Sequence, residues 1–340
     1  RKIPGSTAAV YSDKGYAEKA SFNALTSSLE RRKIDATVSK GLFPGSFRVK
    51  YKIFGSPLVS IIIPTKDKLE HFERCISSLL EKTTYKNYEV LVVDTGSEEK
   101  RTLDFYKDLV KDKRVRLLKW EKPFNYSSVN NYGVKNAKGE YVVLLNNDTE
   151  IISPDWIEGM LEHAQRKEIG AVGVKLLYPN NTIQHVGVVL GIAGPSKKES
   201  IAGHIMRSFP RDIMGIPFTK DIIRNYSAVT AACLMIKKDK FLEMNGMDGK
   251  YRIAFNDIDF GIRLYKSGYY NLYTPFVELY HHESISVGTP NDGKRDMVEF
   301  AKEVNMMINN WGEIIYRDPF YNKNLNWENT NSEINTKLQL

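Results

Sequence analysis

Residues 57–67 read PLVSIIIPTKD, and residues 88–97 read YEVLVVDTGS. Leu58–Ile63 is a short apolar run rich in β-branched residues, as expected for a strand covered on both faces. It stops at Pro64. Leu69, Phe72, Ile76, Leu79 and Leu80 then recur at three- and four-residue steps, which predicts an amphipathic helix. Tyr88–Val93 is the next buried strand, ending at Asp94. Working outward, a helix is predicted over 98–110, a strand over 115–118, a helix over 127–136 and a strand over 141–145. Strands alternating with helices predict an α/β fold with a mostly parallel, Rossmann-like sheet flanked by helices.

The flanks differ. Residues 1–56 predict an N-terminal arm, or the end of an upstream module, with a helix over 16–32 and a strand from Phe47 to Ile53. In the second half, Pro154 opens a helix to about Arg166, capped by Ser153. Strands are predicted over 171–177, 228–236 and 277–280, and helices over 257–266 and 295–310. A stretch from Gly191 to Arg224, rich in Gly, Pro, Lys and Arg, is expected to be a mobile lid or a substrate-facing loop. The chain from Asn322 onward is polar and expected to pack poorly. The implied divisions are 57–150 for a first half, 151–290 for a second half, and 291–340 for a C-terminal helix and tail.

With 42% hydrophobic and 26% charged residues among 340, the chain has the balance of a globular protein with a full core. Lys plus Arg is 49 and Asp plus Glu 41, and 49 − 41 gives a net charge of +8. That surplus suits phosphate ligands, nucleic acid or an anionic membrane, without choosing among them. Cys75 and Cys233 are the two cysteines, each in an apolar run, so a disulfide scaffold and a cysteine-based zinc cluster are excluded. No apolar run approaches the roughly 18 residues of a membrane span. The chain starts at Arg1 with no signal-like segment, which suggests a piece of a longer polypeptide. No Gly-X-Gly-X-X-Gly turn follows the first strand and there is no phosphate-binding P-loop, which argues against an oxidoreductase or a P-loop nucleotidase. Scattered rather than striped basic residues, with no recognisable binding motif, argue against nucleic acid.

Chemistry-bearing residues fall at strand ends. Asp94 ends the second buried strand, and Asp148 follows the strand at 141–145. Asp257 and Asp259 open a helix, and His281 and His282 end a late strand. In an open α/β sheet, ligands bind beyond the carboxyl ends of the strands, so Asp94, Asp148 and the Asp67 region converge by topology. A carboxylate, an imidazole and ligand phosphates can together hold a hard divalent cation. A second carboxylate can take a proton from an attacking hydroxyl.

In order along the chain, PLVSIIIPTKD, YEVLVVDTGS, Asn131-Tyr132-Gly133 with Ala137–Tyr141, Asn146-Asn147-Asp148, Asn256–Asp259 and Leu279–Ser284 resemble family 2 glycosyltransferases of the GT-A fold. The likeness covers about residues 57–290 and is similar to domains of bacterial O-antigen, capsule and rhamnose-glycan synthesis proteins. It implies an inverting transfer from a nucleotide-diphosphate sugar, a UDP- or dTDP-sugar, to a glycan or lipid-linked acceptor. It also implies Mn²⁺ or Mg²⁺ at Asp148 with one of His281 and His282, and Asp257 as general base. Donor contacts fall on Pro64, Thr65, Asp67, Asp94, Asn131, Asn146 and Asn147. The expected setting is cytoplasmic, at the inner face of the membrane, alongside other modules of a longer chain.

Two positions depart from the pattern. Asn146 replaces the first Asp of Asp-X-Asp, and Asn256 the Glu of Glu-Asp. They keep open an alternative, a degenerate domain that binds a glycan or nucleotide without turnover. No Gln-X-X-Arg-Trp motif is present, which argues against a processive synthase. Structural roles stand beside the catalytic ones: Asp94 as a helix N-cap, Asp148 as a turn residue, and Asp257 or Asp259 as first-turn acids, with Asp259 the better fit to that role. Adjacent histidines on a strand face opposite ways, so at most one reaches a metal, and the resemblance, through the family pattern's spacing to Ser286, favours His281. Lys197-Lys198 and Lys237-Lys238 read as solvated faces, and Phe124-Asn125-Tyr126 as loop packing.

Overall fold

The structure is a computed structural model and describes residues 15–192, 200–213, 218–282, 296–331 and 333. Two units separate by contact, residues 1–54 and 55–340. In the first, helix α1 (Gly15–Arg31) precedes a hairpin of β1 (Ala36–Lys40) and β2 (Phe47–Tyr51), paired antiparallel from Ala36↔Tyr51 to Lys40↔Phe47.

In the second unit, β3 (Val59–Thr65) and β4 (Tyr88–Asp94) are buried at every residue. Between them α2 (Leu69–Lys82) buries Leu69, Phe72, Cys75, Ile76 and Leu79, the stripe that its apolar spacing predicts. Helix α3 (Lys100–Leu109), β5 (Val115–Lys119), α4 (Tyr126–Asn136) and β6 (Tyr141–Leu145) follow. Strands β5, β4, β3 and β6 lie side by side and parallel, so their carboxyl ends share one edge. Gly133 lets α4 approach this sheet, because a Cβ there would stand 2.4 Å from Ile62 Cγ2.

Beyond β6 come β7 (Thr149–Ile151), α5 (Trp156–Ala164) and β8 (Ile169–Leu177). Then follow β9 (Ile183–His185), β10 (Val188–Leu190), β11 (Ala202–His204), a 3₁₀ turn at Phe218–Asp221 and β12 (Arg224–Tyr226). The unit ends with β13 (Cys233–Lys237), α6 (Lys238–Glu243), α7 (Asn256–Lys266), β14 (Tyr270–His281) and α8 (Met297–Ile315). One sheet of 10 strands takes the order β12-β14-β8-β13-β6-β3-β4-β5, with β7 on β14 and β9 on β8. Strand β13 runs antiparallel to both β6 and β8, while β14 and β8 are parallel.

Three expectations are corrected. Ser153 does not cap α5; its Oγ accepts from Glu278 N at 2.9 Å, and the helix starts after Asp155. The described parts of 191–224 are packed rather than lid-like, with Ile201, Ile205 and Met206 buried. The described part of the tail is also packed: Leu325 and Trp327 lie on the cluster of Tyr226, Tyr273 and Tyr321, and Met206 N donates to Thr330 O. Lys197, Lys198, Glu283, Ser284 and Ser286 lie outside the described residues.

Candidate active site

The carboxyl ends of β3, β4 and β6 carry the expected donor-side residues. Pro64 and Thr65 pair with Val93 and Asp94 across the β3–β4 ladder. Thr65 Oγ1 accepts from Asn147 Nδ2 at 3.0 Å, tying β3 to the turn after β6. Asp94 does not cap α3, which starts six residues later at Lys100; its Oδ1 accepts from Ser97 N at 2.9 Å and closes a turn. Asp67 and Lys68 are left-handed, with φ of 47° and 50°. This conformation is held by Asp67 Oδ1, which accepts from Glu98 N and Glu99 N, both at 2.9 Å. Asn131 lies apart from this edge: its amide donates to Met247 O and accepts from Met247 N, tying α4 to the loop before α7.

The Asn146-Asn147-Asp148 turn meets the end of β14. Asp148 Oδ1 is 3.2 Å from His281 Nε2, without the alignment of a hydrogen bond, and is a buried oxygen with no other partner among the described residues. Burial works to raise the carboxyl's pKa; the imidazole of His281 outweighs it, with His71 adding to the effect, and holds the group below its ordinary value. Asp148 O also accepts from His282 N at 2.9 Å, which pins β14 to the turn. His282 itself faces away. Its ring lies 3.1 Å from Arg74 Nη1 and 3.4 Å from Glu150 Oε2, and burial followed by Arg74 lowers its pKa. The alternation of a strand separates the two histidines, and His281 is the one beside Asp148.

These atoms fit a divalent cation. Two ligands at right angles, each about 2.1 Å from an octahedral ion, stand about 3 Å apart. The Asp148–His281 pair matches that spacing, and its buried, unpartnered oxygen is a ready ligand. No group of three or more His, Cys, Asp or Glu suited to a metal exists among the described residues. A site with few protein ligands suits an ion that keeps water and phosphate oxygens.

Asn146 organises the middle of the site. Its Oδ1 accepts from Tyr126 OH at 2.9 Å, its Nδ2 faces His281 Nε2 at 3.3 Å, and its backbone N donates to Ala232 O at 3.0 Å. Tyr126 OH is also 3.1 Å from Ala231 O, and Ala231 N donates to Asp257 Oδ2 at 3.0 Å. Asp257 is thereby joined through the backbone of Ala231 and through Tyr126 to the Asn146–His281–Asp148 group. Burial raises its carboxyl above the ordinary value, partly offset by the Ala231 amide and the Thr230 hydroxyl. Burial also raises Tyr126, with Asp257 adding to it, so Tyr126 stays a neutral phenol.

Asp257 opens α7 after Phe255, which is left-handed with φ of 60°. The preceding loop is held by the buried carboxylate of Glu303 on α8, which accepts from Arg252 N (2.6 Å), Ile253 N (3.2 Å) and Ala254 N (2.9 Å). Asn256 Oδ1 accepts from Asp257 N, so its amide serves the helix start. Asp259 supports the helix: it accepts from Arg263 Nε at 2.8 Å and Trp311 Nε1 at 2.9 Å.

Sequence reasoning missed His71 and the Thr230-Ala231-Ala232 turn, which it took as strand, and assigned Tyr126 to loop packing. The signal for the turn was there: small residues directly before a buried strand leave backbone groups open to side chains from elsewhere. Tyr126 and His71 carried no local signal, because their partners, Asn146 and Ala231 for Tyr126 and Asp148 for His71, lie on other elements.

The family described as Glycosyl transferase family 2 matches residues 60–208, a span that includes Asp148 and excludes Asp257 and His281. The chain is 42% identical over 328 residues to protein y4gI of Sinorhizobium fredii (strain NBRC 101917 / NGR234), covering 96% of this chain and 35% of that protein. It is 38% identical over 271 residues to the O-antigen biosynthesis protein RfbC of Myxococcus xanthus, covering 79% of this chain and 21% of that protein. The chain thus spans about a third and a fifth of the length of these relatives. A crystal structure of GalNAc-T7 with UDP, GalNAc and Mn²⁺ superposes with a TM-score of 0.58 at 15% identity, over 78% of this chain and 50% of that one, a likeness of fold. With its sheet order and the turn after β6, the fold is of the GT-A type, and residues 60–208 carry the match to Glycosyl transferase family 2.

Proposed function

We propose that this domain is an inverting glycosyltransferase that moves a sugar from a nucleotide-diphosphate donor to a hydroxyl of a glycan or lipid-linked acceptor. The observation that supports it best is the pairing of two unlike carboxylates. Asp148 is held below its ordinary pKa beside His281, whereas Asp257 is raised by burial at the far end of the Tyr126–Asn146 link. Environments that push two acids apart mark their separate roles.

Asp148 and His281 would hold the divalent cation, Mn²⁺ or Mg²⁺, which when bound neutralises charge on the diphosphate. Thr65, Asp67 and Asp94 would carry the nucleoside at the ends of β3 and β4, with Pro64, Asn146 and Asn147 lining that edge. Asn131, turned to Met247, would stand outside that set and hold α4 to the loop before α7. Asp257 would accept the proton of the acceptor hydroxyl as its oxygen bonds to the anomeric carbon and the bond from that carbon to the diphosphate oxygen breaks. The proton thus ends on Asp257 and the electron pair leaves with the nucleoside diphosphate.

The relation to RfbC supports a place in O-antigen synthesis, and the proposal extends to similar surface polysaccharides such as capsule and rhamnose glycans. No described helix is long and apolar enough to cross a membrane. A UDP- or dTDP-linked donor and work at the cytoplasmic face, with other modules of a longer chain, are part of the same proposal. The alternative, a binding domain without turnover, draws on Asn146 and Asn256. Asn146, however, spends its amide on Tyr126 and His281, so the replacement gives the site an organiser. Turnover of a nucleotide sugar with and without Mn²⁺ decides between them: donor consumed only with the metal supports the enzyme, and binding without consumption supports the other.

A further inference from the structure

His185 and His204 lie outside every role assigned so far. His185 ends β9 and is fully buried, and its Nδ1 stands 2.8 Å from Nδ1 of His204 on β11. The rings meet edge to face with centroids 4.9 Å apart. At that distance one nitrogen donates and the other accepts, so the pair shares a single proton.

The register carries the argument from this pair to the candidate metal site. His185 pairs with Leu176 on β8, and Leu176 pairs with Leu279 on β14. Paired residues point to the same face of a sheet, and so does a residue two further along a strand. His185 and His281 therefore share a face, and they interact electrostatically. Among the described residues, His185 Nε2 and His281 Nδ1 are both buried nitrogens without a hydrogen-bond partner. Two such orphans on one face are costly unless they serve each other.

The protons can be placed. The Asn146 amide, oriented by Tyr126 OH on its oxygen, turns Nδ2 toward His281 Nε2. If Nε2 ligates a cation its lone pair is taken, which leaves the His281 proton on Nδ1. His185 has an unpartnered nitrogen facing the same region and a second nitrogen engaged with His204. A metal-binding imidazole generally needs its other N–H fixed by a partner, and loss of that partner weakens metal binding.

We propose that His185 and His204 are positioning residues for His281: His281 Nδ1–H is linked to His185 Nε2 through one bridging water, and His185 Nδ1–H donates to His204 Nδ1. The chain of three imidazoles fixes the His281 tautomer and aims its Nε2 lone pair at the point that Asp148 Oδ1 also faces. This rests on the reading of Asp148 and His281 as metal ligands, and extends it to residues that touch neither metal nor substrate.

The test has two readouts on the whole protein. Mn²⁺ alone is titrated into wild type, Asp148→Ala, His185→Leu and His185→Gln, and free Mn²⁺ is followed by electron paramagnetic resonance. Histidine ¹⁵N shifts are read on the metal-free proteins. The expected results are Mn²⁺ binding about 10- to 100-fold weaker in His185→Leu, partial recovery in His185→Gln, whose Oε1 can accept in place of Nε2, and a His281 protonated at Nδ1 only when residue 185 can accept. His204→Leu reads the same chain from its half-buried end, and should release the His185 Nδ1 proton from its hydrogen bond. A role confined to packing would lower thermal stability and leave the His281 tautomer unchanged, and that result overturns the proposal. If wild type and Asp148→Ala bind Mn²⁺ equally, the metal reading fails instead, and the ¹⁵N shifts still decide the imidazole chain.

Discussion

Asp257 Oδ2 and the amide nitrogen of Ala231 are 3.0 Å apart, and the carbonyl of that same residue lies 3.1 Å from Tyr126 OH. One residue thus faces the proposed base with its N–H and the donor-side network with its carbonyl oxygen. The amide, together with the Thr230 hydroxyl, stabilises the charged carboxylate, and burial opposes them more strongly, so the pKa is raised.

From this balance Asp257→Asn should lose about 10²- to 10⁴-fold in kcat, the usual range for a positioned base. The amide oxygen of Asn can still accept from Ala231, so donor affinity should hold. For stability the sign is worked from the raised pKa: the folded state binds the proton more tightly than the unfolded chain. Stability is therefore lost as pH rises from the ordinary carboxylate range through the native value. At neutral pH Asp257→Asn should melt at or above the wild-type temperature, and that advantage should shrink as pH falls through the native pKa. The acid limb of kcat/KM should lie above the ordinary Asp value of about 3.9. Thermal melts and rate profiles across pH check both; a normal carboxylate limb would remove Asp257 from the role.

The two histidines give a second contrast. His281→Ala should weaken Mn²⁺ binding and reduce turnover together, because the partner of Asp148 is gone. His282→Ala removes a ring that faces Arg74 and Glu150, so its effect on Mn²⁺ affinity should be the smaller of the two. Isothermal titration of Mn²⁺ in the presence of a nucleoside diphosphate measures the order. A larger loss in His282→Ala would place the ion elsewhere.

Much of this was readable in the chain. Strands β3, β4 and β6 are buried on both faces, so their composition is apolar without alternation and their ends are abrupt. Strands β7, β9, β10, β11 and β12 are three residues each, shorter than any period that could show them. Strand β14 begins at Tyr270, far ahead of the four residues expected, because Pro275 falls at an irregularity between Thr274 and Glu278 where the ladder tolerates it. Asp94, Asp148, Asp257 and His281 could be picked out as residues at element ends. The Tyr126–Asn146 link and the facing of His281 over His282 are relations through space, and only the fold creates them.

Glu303 supplies a prediction away from the chemistry. Its carboxylate takes three backbone amides in the loop that leads into α7. Glu303→Ala leaves those amides without their acceptor, at a cost of about 2–4 kcal/mol. The loop sets the start of α7, so kcat should fall while the donor side is untouched. Denaturant unfolding gives the first quantity, and nucleoside diphosphate affinity beside kcat gives the second. Equal losses in both would point to global damage rather than a shift of Asp257.

Asp259 is the internal comparison for Asp257, two residues along the same helix. It is 3% exposed, and its oxygens go to Arg263 Nε and Trp311 Nε1. Arg263 in turn donates from Nη1 to Met244 O and Gly246 O, so the pair ties α7 to the loop after α6 and to α8. Asp259→Asn keeps an oxygen for Trp311 but takes the counter-charge from a largely buried guanidinium. Breaking such a pair costs up to about 3–5 kcal/mol when fully buried, and less for Arg263, whose side chain is 22% exposed. The variant should therefore melt well below wild type and, under conditions where it remains folded, retain most of its kcat. Asp257→Asn should show the reverse, a protein as stable as wild type with little turnover. Melting temperature set against kcat for the two variants tests the assignment, and loss of turnover in a fully folded Asp259→Asn with turnover kept in Asp257→Asn would transfer the base from one carboxylate to the other.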